Sequence, residues 1–367
     1  MKPAIVIAAY NRVESLKRIL VSVAEASYDF DDIQLIISID NSDNHEVARI
    51  AEKFHWKHGN KRVVRHADRL GLKKHILECG DYTHEFGSII MLEDDLYVSP
   101  EYYRFASSAL DFSAMRDEIG GISLYNHRFN VFARLPFEPM DDGYDNWYFQ
   151  FASSWGQAWT AKQWDDFKNW QKKHDGEDLH GNGMPSDAAA WSETSWLKYA
   201  IKYLIETDRY FLYPRISYTT NFADAGEHAF HAVTDLQVPL SYGTTHTFHF
   251  SGLADSRAVY DAYFENALMP YESDLYGLKM RDHAVKMNYL LSTQALPYYV
   301  MEHYGLVLRP MDANIFLKIP GREIRLYDLT RKAKAFKTET GILEDYFYPG
   351  MNRKKMMNLM KYRAFNR

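Results

Sequence analysis

The sequence has almost no cysteine and no long apolar run. Its 367 residues include one cysteine, Cys79, which excludes an intramolecular disulfide framework and a cysteine-based zinc site. The first ten residues are too short and too strand-like for a secretory signal. No segment approaches the roughly 20 consecutive apolar residues of a membrane-spanning helix. These absences favour a reducing compartment, and we expect a cytoplasmic protein.

Two glycine-rich phosphate-binding motifs are also missing. No G-x-G-x-x-G follows the first predicted strand, which argues against a Rossmann dinucleotide-binding fold. The signature G-x-x-x-x-G-K-[S/T] does not occur either, so the chain is not a P-loop enzyme. Any nucleotide ligand must therefore be held by other chemistry.

The net charge of −6 combines an acidic body with a basic tail. Residues 331–367 carry ten Lys and Arg against three Asp and Glu. An acidic body argues against general nucleic-acid binding, and we expect no nucleic-acid partner. Residues 351–365 mix Met and Leu with Lys and Arg. A helix there could lie on an anionic membrane surface, giving a peripheral protein at the inner face of the membrane, or pack on the acidic body.

Apolar runs and helical patterns alternate regularly in the first 110 residues. Strands are predicted at Pro3–Ala9, Gln34–Ile39, Arg62–Arg65 and Ser88–Leu92, and helices at Val13–Ala26, His45–Phe54, Leu72–Tyr82 and Pro100–Leu110. This order predicts an α/β fold, with a mostly parallel sheet covered by helices on both faces.

The rest of the chain is less regular. We predict one long helix over Asp187–Thr207, a strand at Tyr210–Ser217, and a mixed, largely helical C-terminal extension. The predicted domains are 1–255, with halves 1–120 and 121–255, and the extension 256–367.

Three predicted strands end in chemically distinctive residues. Ala-Ala-Tyr-Asn-Arg occupies 8–12, Asp40 follows the second strand, and Glu93-Asp94-Asp95 closes the fourth. Ligands bind beyond the carboxyl ends of strands in such sheets, so we expect these residues to meet at one edge. Three adjacent acids repel one another unless they are neutralised, and Mg²⁺ and Mn²⁺ prefer carboxylate oxygens. An acidic turn before the helix at Pro100 is the alternative.

Together with two later segments, these strand ends resemble a GT-A glycosyltransferase, and especially the N-acetylglucosaminyltransferase I family and its bacterial relatives. The matching segments are M-L-E-D-D-L-Y-V-S-P-E-Y-Y-R-F around Glu93, S-S-W-G-Q-A-W at 153–159, and Y-P-R-I-S at 213–217 with Asn221, Gly226 and His228. The resemblance spans about residues 3–231. It implies an inverting, metal-dependent transfer of a sugar, expected to be a hexosamine such as GlcNAc, from a UDP-sugar to a hydroxyl. The implied acceptor is a glycan or a lipid-linked glycan of bacterial surface polysaccharide synthesis.

The resemblance also implies site residues. Asp95 matches the ligand of Mn²⁺ or Mg²⁺, and Asp40 matches the acid that hydrogen-bonds the uracil. Further donor contacts are implied for Ala9, Tyr10, Arg12, Lys73, His75, Glu93, Asp94, Trp155, Gly156 and His228. The open alternatives are a turn residue for Asp40, a solvated helix face for Arg12 and Lys73, core packing for tryptophans, and a structural hydrogen bond for His228.

The general base is the weakest part of the match. The eukaryotic pattern has an Asp directly before the residue that matches Trp196, whereas this chain has Ser195, which cannot serve. Glu193 is the predicted base, with Asp187 second. Their alternatives are a surface salt bridge and a helix N-cap. A nucleotidyltransferase, or a catalytically inactive glycan-binding or scaffold protein of the same fold, is the rival function, although residues 8–12 lack the glycine that nucleotidyltransferases typically need.

Overall fold

The computed structural model describes residues 1–222, 224, 236–244, 247–279, 287–335, 342–351, 354–358 and 361. The chain divides into two compact units. Unit 1 comprises Met1–Arg128 and Asp141–Leu268, and unit 2 comprises Phe129–Met140 and Met269–Arg367. This division differs from the predicted boundary at 255, because the last strand of the unit 1 sheet follows that residue.

The described strands and helices follow in chain order. The strands are β1 (Ala4–Ala9), β2 (Leu35–Ile39), β3 (Lys61–Arg65), β4 (Ser88–Glu93), β5 (Leu96–Val98), β6 (Ile119–Ser123), β7 (Phe129–Asn130), β8 (Leu135–Pro136), β9 (Asn146–Phe149), β10 (Gln157–Thr160), β11 (Tyr210–Pro214), β12 (Thr219–Asn221), β13 (Val259–Tyr260), β14 (Ser273–Asp274), β15 (Tyr289–Ser292), β16 (Tyr298–Tyr304) and β17 (Ile324–Lys332). The helices are α1 (Val13–Glu25), α2 (His45–Lys53), α3 (Leu72–Gly80), α4 (Thr83–Phe86), α5 (Tyr102–Ser113), α6 (Ala161–Lys173), α7 (Ser186–Ala189), α8 (Trp196–Glu206), α9 (Ala313–Phe316) and α10 (Ile342–Phe347).

Unit 1 is built on a nine-stranded sheet in the order β13-β9-β11-β6-β10-β4-β1-β2-β3. Five of its eight pairs are parallel. β10 runs antiparallel to both neighbours, and β9 runs antiparallel to β11. Ile5 and Ile7 join a core cluster that contains Leu16 and Ile19 of α1, while Val6 is equally buried on the opposite face. Burial on both faces explains why β1 is a continuous apolar run. The α/β prediction is confirmed.

The predicted helix over Asp187–Thr207 is wrong, because α7 and α8 are separated by a turn-rich segment at 190–195. In this segment the Ser192 hydroxyl accepts a hydrogen bond from Thr194 N at 3.2 Å. Ser195 then caps α8 by accepting from Lys198 N at 3.4 Å. Serine and threonine hydroxyls offer the backbone such local alternatives to a helix. The N-cap of α7 is Pro185, so the N-cap alternative for Asp187 is also wrong.

Unit 2 contains a four-stranded sheet in the order β14-β15-β17-β16. One apolar cluster includes Leu291, Tyr304 and Leu326, and a second includes Leu290 and Tyr327. Among the described residues of this unit, more lie in strands than in helices, so this part of the chain does not form the largely helical extension that was predicted. Residues 298–304 are rich in aromatic and β-branched residues, which suit a pleated, half-buried surface. No helix among the described residues is long and apolar enough to cross a membrane.

Candidate active site

A cavity of about 600 Å³ lies at the carboxyl-terminal edge of β1, β2 and β4. Its walls include the turn after β1, the residue after β2 and the acidic triplet at the end of β4, so the structure brings the three chemically distinctive strand ends together. The predicted site residues in this lining are Ala9, Tyr10, Arg12, Asp40, His75, Glu93, Asp94, Asp95 and Trp155.

Arg12 connects the first strand end to the acidic triplet. Its Nη1 donates to Asp95 Oδ2 at 3.0 Å, and its Nη2 pairs with Asp94 Oδ1. Tyr10 N lies 3.4 Å from Asp94 Oδ2. Burial raises the pKa of Asp94 to about 6 against the opposing attraction of Arg12, and burial together with Asp95 raises the pKa of Glu93. The guanidinium is thus the cation that stabilises negative charge at this edge.

Asp95 leaves one carboxylate oxygen without a hydrogen-bond partner. The residue is 8% exposed, and its Oδ1 is buried and unbonded. A buried, unpartnered carboxylate oxygen is costly, and a cation would satisfy it. Across the described residues, no group of three or more His, Cys, Asp or Glu could hold a metal ion. Asp95 alone would thus be one protein ligand of Mn²⁺ or Mg²⁺ at this edge, and bound phosphates and water would have to supply the other ligands, as at many Mg²⁺ sites.

Asp40 organises the loop that precedes α3. Its Oδ1 accepts from Asn41 N at 2.8 Å and from Leu70 N at 2.7 Å, and its Oδ2 accepts from Gly71 N at 3.0 Å. The turn alternative therefore describes real contacts of this carboxylate. Because a carboxylate has about four acceptor positions, Asp40 keeps room for one more donor in the cavity.

The two predicted residues of α3 have different surroundings. His75 is buried in the cavity wall, and its Nε2 lies 2.8 Å from Ser38 Oγ. Burial lowers the pKa of His75 to about 4, so the ring is neutral at pH 7. Lys73 does not line the cavity. Its Nζ bonds Asp175 Oδ1 at 2.7 Å and lies 4.8 Å from the centre of the Tyr199 ring.

Of the neighbouring residues Trp155 and Gly156, only Trp155 lines the cavity. The carbonyl of Trp155 accepts from Thr219 Oγ1 at 2.5 Å. Gly156 lies outside the lining at φ +93°, and a Cβ there would meet Thr219 Cγ2 at 2.7 Å. Gly156 thus permits a close packing of the chain behind Trp155. His228, the remaining predicted donor contact, lies outside the described residues.

Neither predicted general base lines the cavity. The Glu193 side chain is 72% exposed, and it bonds Lys198 Nζ at 2.6 Å and the Tyr199 hydroxyl at 3.2 Å. The hydrogen bond from Lys198 lowers the pKa of Glu193. The flanking residues Ser192 and Thr194 do line the cavity. Asp187 is exposed on α7. The structure therefore places Glu193 next to the cavity but turned toward α8.

Several lining residues were not predicted. Asp224 accepts from Ser15 Oγ at 2.7 Å and pairs with Arg18. Arg69 lies over the Tyr10 ring at 4.8 Å from its centre. The segment W-S-E-T-S-W contributes Trp191 and Trp196 as well as hydroxyl groups. The three hydroxyl side chains between its two tryptophans were the sequence feature that could have indicated a cavity-lining loop.

Comparison with known proteins gives one family match. Residues 4–131 match the family model described as Glycosyl transferase family 2. The matched segment is less than half of the chain and is similar to a glycosyltransferase domain. It contains the turn after β1, Asp40 and the acidic triplet. The chain matches no curated protein sequence, and the resemblance to the N-acetylglucosaminyltransferase I family stays a prediction.

The chain is also similar to solved glycosyltransferase structures. S. aureus TarS 1–349 has 15% identity and a TM-score of 0.40, and the similarity covers 60% of each chain. TarS 1–349 in complex with UDP-GlcNAc has 13% identity and a TM-score of 0.36, covering 61% of this chain and 60% of that one. The mannosyltransferase PcManGT from Pyrobaculum calidifontis, in complex with GDP-Man and Mn²⁺, has 13% identity and a TM-score of 0.33, covering 44% of this chain and 46% of that one.

Proposed function

We propose that this protein is an inverting glycosyltransferase that moves a sugar from a UDP-sugar to a hydroxyl of a glycan or lipid-linked glycan. We propose a hexosamine such as GlcNAc as the sugar. The observation that carries the proposal is the convergence of residues 8–12, Asp40 and residues 93–95 on one cavity. The family match covers all three segments.

The donor half of the cavity offers a polar group for each part of a nucleotide. Asp40 provides a carboxylate, and His75 a neutral imidazole ring, as hydrogen-bonding partners for a nucleotide base. Tyr10, with its ring against Arg69, provides an aromatic face near the base and ribose. Arg12 provides the guanidinium fork that recognises phosphate oxygens. Glu93 and Asp94 would accept hydrogen bonds from ribose or sugar hydroxyl groups.

Asp95 would hold a divalent ion through its unbonded Oδ1. When bound, such an ion stabilises the negative charge that develops on a diphosphate leaving group. Trp155, Trp191 and Trp196 line the same cavity and provide apolar faces against which sugar rings could pack. Their apolar side chains would also keep water away from the reacting bond.

Inversion in one step requires a carboxylate that removes the proton of the acceptor hydroxyl. Glu193 remains our first candidate, because Ser192 and Thr194 on either side of it line the cavity. To act, Glu193 must exchange its bond to Lys198 for one to the acceptor. Asp187 remains the second candidate.

We also propose peripheral contact of the basic tail with an anionic membrane, where a lipid-linked acceptor would be presented. Lys354, Lys355, Met356 and Met357 are exposed, and residues 354–358 are helical. Exposed methionines beside lysines suit the boundary between lipid headgroups and acyl chains. Binding to phosphatidylglycerol vesicles, lost when Lys354 and Lys355 become glutamate, tests this contact.

A donor screen tests the proposed function. Thermal stability is measured with UDP, GDP and CMP and with several UDP-sugars, with and without Mn²⁺, followed by donor hydrolysis and transfer assays. A ligand that binds only the folded state raises its apparent stability. We expect stabilisation by one UDP-sugar with Mn²⁺ and its loss in Asp95→Asn.

Asp31→Asn is the matched control for this screen. It removes one exposed carboxylate from the segment before β2, at the opposite edge of the sheet. Binding of no nucleotide would contradict the proposal. Binding without hydrolysis or transfer would instead favour the inactive glycan-binding protein. The exposed Glu193 side chain, which pairs with Lys198, agrees with that alternative.

A further inference from the structure

The guanidinium of Arg12 already supplies a positive charge to the acidic triplet. Arg12 contacts Asp95 through Nη1 and Asp94 through Nη2, so one guanidinium serves two carboxylates. Asp94 is 2% exposed and Asp95 is 8% exposed. Two buried carboxylates without a positive partner would repel each other and lose hydration, so the folded protein depends on this guanidinium.

The same contacts create a conflict at Asp95. Its Oδ2 is bonded to Arg12, whereas its Oδ1 is buried and unbonded. A divalent ion on Oδ1 would therefore share one carboxylate with the guanidinium. Two cations separated by a few ångströms repel strongly in a partly buried site. An ion arriving alone gains one carboxylate oxygen and meets an unfavourable neighbour.

A diphosphate would remove this conflict. Its oxygens are acceptors for the guanidinium fork and ligands for the ion, so the two cations would no longer compete for the same carboxylate. The guanidinium has several N–H donors. Arg12 can therefore turn from Asp95 toward a phosphate while its other nitrogen keeps Asp94.

We propose that Arg12 is the counter-cation of Asp94 and Asp95 in the donor-free protein, and that a divalent ion binds Asp95 tightly only together with a diphosphate, which takes over one arm of the guanidinium. This inference rests on the proposed function. It makes Arg12 a donor-binding residue that also couples binding of the ion to binding of the nucleotide. By linkage, each ligand then raises the affinity for the other by the same factor.

The test measures Mn²⁺ binding by electron paramagnetic resonance, and thermal stability, for the full chain with Mn²⁺ alone, UDP alone and both. The variants are Arg12→Met and Arg12→Lys. Lys17→Met is the matched control, because it removes one positive charge from α1, the helix that begins directly after Arg12, at an exposed site where Lys17 pairs with Glu14.

In the wild type we expect little response to Mn²⁺ alone and a large response to Mn²⁺ with UDP. In Arg12→Met we expect lower starting stability, about tenfold tighter binding of Mn²⁺ alone because the neighbouring cation is gone, and recovery of stability by Mn²⁺ alone. The coupling between Mn²⁺ and UDP should fall at least tenfold. Lys17→Met should match the wild type.

Arg12→Lys keeps the charge and loses the fork, so it covers the case in which Arg12→Met does not fold. We expect Arg12→Lys to bind Mn²⁺ without UDP as weakly as the wild type does. The coupling between Mn²⁺ and UDP should be weaker than in the wild type. Tight binding of Mn²⁺ alone to the wild type, or full coupling in both Arg12 variants, would overturn the inference. A wild type that binds no UDP even with Mn²⁺ would instead overturn the proposed function.

Discussion

The two sides of the cavity are built in different ways. The side on which we propose that the donor binds, the donor side, consists of the ends of buried parallel strands, where Arg12, Asp40 and Asp95 are fixed by backbone and ion-pair contacts. The opposite side is the turn-rich segment 190–195, in which Ser192 and Glu193 are exposed. The comparison indicates that the donor side is formed in advance, whereas the side that would meet the acceptor is held by a few surface contacts.

The largest expected effect is on the donor side, at Asp95. Asp95→Asn keeps the size of the side chain but removes its charge, so the ion loses its protein ligand. We expect turnover to fall about 10³-fold, in the range for loss of one electrostatic contact to a transition state. Steady-state kinetics at saturating Mn²⁺ measures this change. Activity within tenfold of the wild type would assign the ion to another residue.

The pH dependence of stability tests whether His75, on the donor side, stays buried and neutral in the folded protein. Burial lowers its pKa to about 4, with opposing effects from Asp40, which raises it, and His66, which lowers it. The unfolded state therefore binds more protons than the folded state between about pH 6.5 and pH 4. The contribution of His75 to the free energy of unfolding is thus fully present above pH 6.5 and is lost as the pH falls toward 4. The loss amounts to about 3 kcal/mol.

Urea unfolding at pH 7 and at pH 4.5, for the wild type and His75→Gln, isolates this contribution. We expect the wild type to lose more stability than the variant over this interval, since glutamine does not titrate. Equal losses in the two proteins would show that His75 is accessible to protons in the folded state.

On the acceptor side, Glu193 separates catalysis from support. Glu193→Gln keeps most hydrogen bonds but cannot take a proton, and we expect kcat to fall about 10²-fold with KM nearly unchanged if Glu193 is the base. Lys198→Met removes the ion-pair partner of Glu193 but keeps the Glu193 carboxylate, so we expect kcat to stay near the wild-type value. Equal, small effects on KM in both variants would assign Glu193 a supporting role only.

A smaller effect is expected at Asp40. Asp40→Asn leaves one carbonyl oxygen and adds an N–H₂ group facing the backbone donors of Leu70 and Gly71. We expect about tenfold weaker nucleotide binding, because the loop before α3 loses a charge-assisted bond. Calorimetry with UDP measures it. Unchanged affinity together with lower stability would confine Asp40 to the turn.

The same contrast separates what the sequence revealed from what it did not. The donor side was predictable because an apolar run followed by a polar residue marks a parallel strand and the edge where it ends. The break between α7 and α8 was not predictable from helical periodicity, because the competing hydrogen bonds of Ser192 and Ser195 are local and do not alter that periodicity. The direction of the Glu193 side chain depends on the buried Lys198, which no spacing rule locates.

A crystal structure of the protein with UDP-GlcNAc and Mn²⁺, with the ion located by its anomalous signal, tests the central claim most directly. The account predicts Mn²⁺ at about 2.1 Å from Asp95 Oδ1, a phosphate oxygen on Arg12, and the uracil beside Asp40. Nucleotide and ion bound away from this cavity, or an ion on Asp95 with Arg12 still bonded to both acids, would contradict it.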